Sequence, residues 1–247
     1  MKVLYITAAA LVLFALPADA AAQVASIEIG GGDGEESLSG RAIQLVLMLT
    51  VLSLAPGILM TVTSFTRIVV ALSLLRTGLG APGVPPNPVL ISLALFLSFF
   101  VMAPTIETAW DTGVVPFQEG LLTEEEAFER TAAPFEAFMT SQVRGEDLAL
   151  FRDLAATNGM EDGEEIGLSR LVPAFMISEL RRAFEIGFLI LLPFLVIDLA
   201  VSAVLMAMGM MMLPPPTISL PMKIIFFVLV DGWALIAGSL VRSFGVG

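Results

Sequence analysis

Twenty-four carboxylates and twelve basic side chains carry nearly all the ionisable chemistry of this 247-residue chain, because it contains neither histidine nor cysteine. The missing histidines remove the usual general base, the commonest metal ligand and the usual pH switch. The missing cysteines exclude disulfides and thiol chemistry. A carboxylate-only metal site would still be possible, but no spacing of acids argues for one. Two aspartates lie in apolar surroundings: Asp198 within PFLVIDLAVSAVL and Asp231 within FFVLVDGWALI. A carboxylate at the centre of a spanning helix costs about 2.5–3.5 kcal/mol, so it is normally paired, protonated or turned toward water. Two such acids sharing a proton is the chemistry of an intramembrane aspartyl protease, but the G-x-G-D form is missing around Asp231. A proton relay in an ion-coupled transporter is the alternative reading of this pair.

A denser charged cluster, SELRRAFEIG, holds Glu179, Arg181, Arg182 and Glu185 just before an apolar run. On a helix, Arg181 and Arg182 reach Glu185 at spacings of four and three. Glu179 has only Arg182 nearby, and the sequence favours a distant cation for it, Lys223 at the opening of the next apolar segment. Methionine is the sharpest signal. Met206, Met208, Met210, Met211 and Met212 are five of the chain's thirteen methionines. Thioether side chains are unbranched and mould to irregular surfaces. They also serve as ordinary core or lipid-facing residues, but three in succession cover every face of a helix, which no packing stripe requires. Followed by Leu213 and Pro214-Pro215-Pro216, they fit a helix end projecting into a loop. In a ring of subunits such loops form a compliant apolar constriction that blocks water and ions by dewetting.

The elements that must position these residues are written in the composition. Hydrophobic residues make up 57% and charged residues 15%, with a mean hydropathy of +0.91. Soluble domains have roughly 45–50% and 25%, so the chain faces lipid or a very large apolar interface. The net charge of −12 is concentrated: residues 111–169 carry fourteen acids against three arginines. That sign excludes nucleic acid and reads as a solvated face. Residues 1–20 read as a signal peptide, with Lys2, an apolar Val3-to-Leu16 run, Pro17 and Ala18-Asp19-Ala20. An uncleaved anchor is the alternative, though the run is short of the roughly 20 residues of a span. A flexible acidic leader occupies 21–41. Four apolar runs follow, at 42–66, 89–106, 186–213 and 224–241, the first kinked at Pro56-Gly57. GLGAPGVPPNP (78–88) must turn, Thr123 with Glu126 makes a capping box, and a helix starts near Ser169. Arg67 and Arg76 in the 67–88 link, with Lys223, fit cytoplasmic placement of those links. The expected fold is all-α: membrane-associated helical hairpins at 42–110 and 184–247, around an acidic extracytoplasmic helical insert at 111–183.

Several long segments resemble the FliP family of flagellar type III secretion export-gate proteins. They are FTRIVVALSLLRTGLG (65–80), PPNPVLISLALFLSFFVMAPT (85–105), the 134–151 stretch, PAFMISELRRAFEIGF (173–188), the run from Pro193 to Lys223 and FVLVDGW (227–233). The likeness covers residues 42–244. It implies a five-subunit ring that joins FliQ-like and FliR-like chains, and other export apparatus proteins, in a helical oligomeric gate. The gate would sit in the flagellar basal body at the bacterial inner membrane, and unfolded flagellar subunits would pass through it. No cofactor and no enzymatic activity are implied. The resemblance assigns the pore gasket to Met210, Met211 and Met212, and it implies that many apolar segments bury against neighbouring subunits rather than lipid. Injectisome gate proteins of virulence systems are the related branch, which generally lacks a signal and leader like those here.

Overall fold

Pro86 is extended at the N-cap of the first long apolar helix, and the proline-rich link before it stops the preceding one. The computed structural model describes residues 60–157, 167–210 and 212–245, with positions 46, 49, 50, 53, 57 and 58. In the segment before residue 60 the described positions are helical, and Thr50 and Ser53 donate their hydroxyls to the carbonyls of Val46 and Leu49. The expected signal peptide, the leader and the kink at Pro56 lie outside the described residues.

From Met60 onward the described chain is all helix and turn. Helix α1 is Phe65–Leu79 and ends on Gly80 in the left-handed conformation, φ 71°. Helix α2 is Asn87–Ala109; it runs through a π-helical turn at Trp110–Val114 into α3, Val115–Gln118. Helix α4, Glu124–Gln142, opens with the expected capping box between Thr123 and Glu126. Helix α5 is Gly145–Thr157. Helix α6, Leu168–Ala207, is 40 residues long, about 60 Å at 1.5 Å per residue. Helices α7, Pro215–Leu229, and α8, Gly232–Arg242, follow.

Among the described residues, two stretches, Asn87–Gln118 and Leu168–Ala207, are long and apolar enough to cross a membrane, and the bent α7–α8 pair makes up to three. This departs from the sequence expectations in three places. The turn expected over 78–88 is confined to 80–86, because α1 runs on to Leu79 and α2 starts at Asn87. The boundary expected at 183/184 falls inside α6, because SELRRAF has no breaker and the helix runs on into the apolar run. The 224–241 run breaks at Asp231, where α8 turns 65° from α7.

The core is α1 laid against α6. Ile68, Ala71, Leu72 and Leu75 of α1 are fully buried, at the three- and four-residue spacing of one helix face. Two glycines let the backbones approach. A Cβ on Gly78 would lie 2.7 Å from Leu191 and 2.8 Å from Phe194, and one on Gly187 would overlap Leu74. Phe194 in turn meets Phe227 of α7, ring centroids 6.3 Å apart. A smaller cluster of Met139, Leu171 and Phe175 holds the acidic helices to the start of α6.

Candidate functional site

The methionine loop is made by a helix stop. The Gly209 N–H donates to the Met206 carbonyl at 3.1 Å, and the Met210 N–H to the Leu205 carbonyl at 3.0 Å. With Gly209 at φ 74°, this is the Schellman arrangement, which needs a residue free to adopt positive φ just past the helix. Pro214 then caps α7, with Pro215 in its first turn, where a missing N–H costs nothing. The chain between the two helices is therefore a short thioether-rich tip. Met206 is 60%, Met208 64% and Met212 99% exposed, and Met210 is half-buried. Met211 lies outside the described residues.

Below the tip, α6 and α7 are clasped by a charge pair. Lys223 Nζ lies 2.6 Å from Asp198 Oδ2 and donates to the Gly78 carbonyl at 3.0 Å. Ser219, one turn before Lys223, also donates to Asp198. The ammonium thus serves a carboxylate and the last turn of α1 together, where a helix favours positive charge. Asp198 is half-exposed rather than buried. Asp231 is exposed too; it stands at the α7–α8 break in the left-handed region, φ 49°, a conformation aspartate tolerates better than most residues. Its expected burial inside a continuous helix does not occur.

Glu179 does not pair with Lys223. Lys223 faces Asp198, which lies nineteen residues further along α6, about 28 Å away at 1.5 Å per residue. The partner of Glu179 is Arg67 of α1, and both side chains are fully buried. Arg67 Nε donates to one Glu179 oxygen at 2.9 Å and Nη2 to the other. The remaining N–H groups reach the Gln142 amide oxygen at 3.1 Å and the carbonyl and hydroxyl of Ser243 at 3.0 and 3.1 Å. The Phe244 ring stacks 3.6 Å from the guanidinium carbon. Burial of a charge is tolerated only with this degree of pairing, and the donors of the guanidinium fork are all used.

The other cluster charges also pair between helices. Arg181 lies 3.6 Å from Glu146 and 3.9 Å from Asp147. Glu185 is 3.5 Å from Arg144, and Arg182 donates to the Gln142 oxygen at 2.9 Å. Together they fasten the α4–α5 junction to α6. The sequence reading missed Arg67 as a site residue, along with Gln142, Ser219 and Gly209. One signal was present for Arg67: a lone cation in the apolar run FTRIVVALSLL needs a carboxylate as much as Glu179 needs a cation. Among the described residues no group of three or more acids is placed to hold a metal ion.

Apolar helices clasped by ion pairs, ending in a soft thioether tip, define an all-helical membrane protein. The FliP family model matches residues 48–240, inside the 42–244 span of the resemblance. The flagellar biosynthetic protein FliP of Caulobacter vibrioides is 57% identical over 97% of this chain and 89% of its own length. The FliP of Agrobacterium fabrum is 52% identical over 94% and 96%, and that of Bacillus subtilis 50% identical over 88% and 98%. The chain belongs to the FliP family. It is a subunit of the flagellar export apparatus, embedded in the membrane, and a structural protein rather than an enzyme.

Proposed function

We propose that this subunit lines the export pore and that Met210, Met211 and Met212 seal it. Five copies form a ring with FliQ-like and FliR-like chains in the inner membrane. The acidic segment between residue 111 and the start of α6 lies on the periplasmic side, after a signal peptide at 1–20 and a leader at 21–41, and the apolar helices that flank it build the wall. Unfolded flagellar proteins part the thioether tips as they pass. The observation that carries this reading is the tip itself: Met212 is 99% exposed on a loop whose stem is fixed by the Asp198–Lys223 pair. A flexible apolar side chain held on a fixed stem suits a seal that must deform and close again.

Deleting Met210–Met212 tests it. The expected result is a complex that still assembles in the membrane but conducts small ions. A deletion that assembles and stays sealed removes the gasket role. Ion-coupled transport by Asp198 and Asp231 is disfavoured, because the Asp198 carboxylate is already committed to Lys223 and Ser219.

A further inference from the structure

Among the described residues the methionines range widely in exposure. Met102 and Met139 are 1% exposed, whereas Met206, Met208 and Met212 of the tip are 60%, 64% and 99% exposed. Thioether oxidation follows access to the sulfur, and it turns a flexible apolar side chain into a polar one. A seal that works by repelling water is therefore built from the side chains most open to chemical loss of that property. We infer that the tip is an oxidant-sensitive site: hydroperoxides convert Met206, Met208 and Met212 to sulfoxides and thereby wet the seal. The inference rests on the gasket reading for its consequence, but not for its chemistry.

The step balances simply. A sulfur lone pair attacks the terminal oxygen of the hydroperoxide, the S–O bond forms and the O–O bond breaks. The departing oxygen takes the proton of the transferred hydroxyl, leaving as water when the oxidant is hydrogen peroxide. Sulfur loses two electrons and the peroxide gains them. The S=O dipole then holds water where dewetting had excluded it. Met60 and Met222, 43% and 53% exposed, fall between the two groups. The product is reversible by methionine sulfoxide reductases, so the leak is too.

Membranes carrying the full-length chain in its gate complex are treated with hydrogen peroxide, then split for peptide mapping and for ion flux. The expected map shows sulfoxide several-fold higher at Met206, Met208 and Met212 than at Met102 and Met139. Flux should rise several-fold over the untreated sample and fall again after a methionine sulfoxide reductase. The triple variant Met206→Leu/Met208→Leu/Met212→Leu, compared with its own untreated baseline, should lose the peroxide response. Equal oxidation of the tip and of Met102 and Met139 overturns the inference, and so does a fully oxidised tip with unchanged flux. The Met210–Met212 deletion separates the two ideas. If it leaks while peroxide has no effect, the gasket stands and the sensitivity fails; if neither leaks, the gasket reading has failed.

Discussion

At the level of single residues, the chain is governed by charges that lipid and protein interior both penalise. Arg67 and Glu179 are each fully buried, and each is tolerable only because the other is present. Removing one partner of such a pair costs about 3–5 kcal/mol, whereas replacing both with apolar residues is often neutral. Arg67→Met alone should therefore reduce the amount of folded protein in the membrane sharply, and Glu179→Leu alone should do the same. The double replacement should recover most of it, as measured by thermal aggregation of the solubilised protein. Reversing Glu179 and Lys223 together should rescue nothing, because they answer to Arg67 and Asp198 respectively. A rescued reversal would contradict the pairing described here. The need of Glu179 for a cation was legible in its neighbours, but the cation's identity was not. Arg67 stands 112 residues away in sequence, and nothing local marks which of two lone charges meets which.

Among the elements, those closed by short-range chemistry were the readable ones. The capping box at Thr123 and Glu126 and the turn after Gly80 need only neighbours within a few residues, and both form as the sequence implies. Burial was less readable: α6 passes through a charged segment because its partners lie on α4 and α5, invisible to periodicity. Gly209 was overlooked because a glycine among methionines offers no hydrophobic signal, although its φ of 74° ends α6. A Cβ there costs about 1–2 kcal/mol in the left-handed region, so Gly209→Ala should displace the tip and raise ion leak, while Gly209→Asn should be milder. Leak equal to the parent for Gly209→Ala would mean the stop is not needed for sealing. The start of α4 makes a separate prediction about pH. The Thr123 backbone N–H and hydroxyl hold the Glu126 carboxyl below its usual range. Its contribution is present above the unfolded carboxylate range and lost as pH falls through the lowered value. Protection of the amides of residues 124–127, corrected for intrinsic exchange, should decline on acidification in the parent and stay level in Glu126→Gln.

For the molecule as a whole, composition announced apolar helices correctly, but the argument for their direction across the membrane weakens. Of the three cations used for it, Arg67 is buried in an ion pair and Lys223 is 6% exposed in another. A charge spent on an internal partner says little about which side of a membrane it faces, so Arg76 remains as the orienting residue of that set. Lys223 instead does something sequence could not show: from α7 it reaches both α6 and α1. Its ammonium holds Asp198 of α6 and the Gly78 carbonyl of α1 at once. This makes the clasp directional, because a carbonyl accepts hydrogen bonds and repels a carboxylate. Exchanging the charges as Asp198→Lys/Lys223→Asp restores attraction between α6 and α7, yet it sets an acid against the end of α1, where the helix dipole is negative. The exchange should therefore fail to restore membrane accumulation, while Lys223→Arg, which keeps donors for both partners, should retain part of it. Recovery by the exchange to parental level would show that the bond to Gly78 is dispensable and that the Arg67–Glu179 pair and apolar packing are enough to hold α1 to α6.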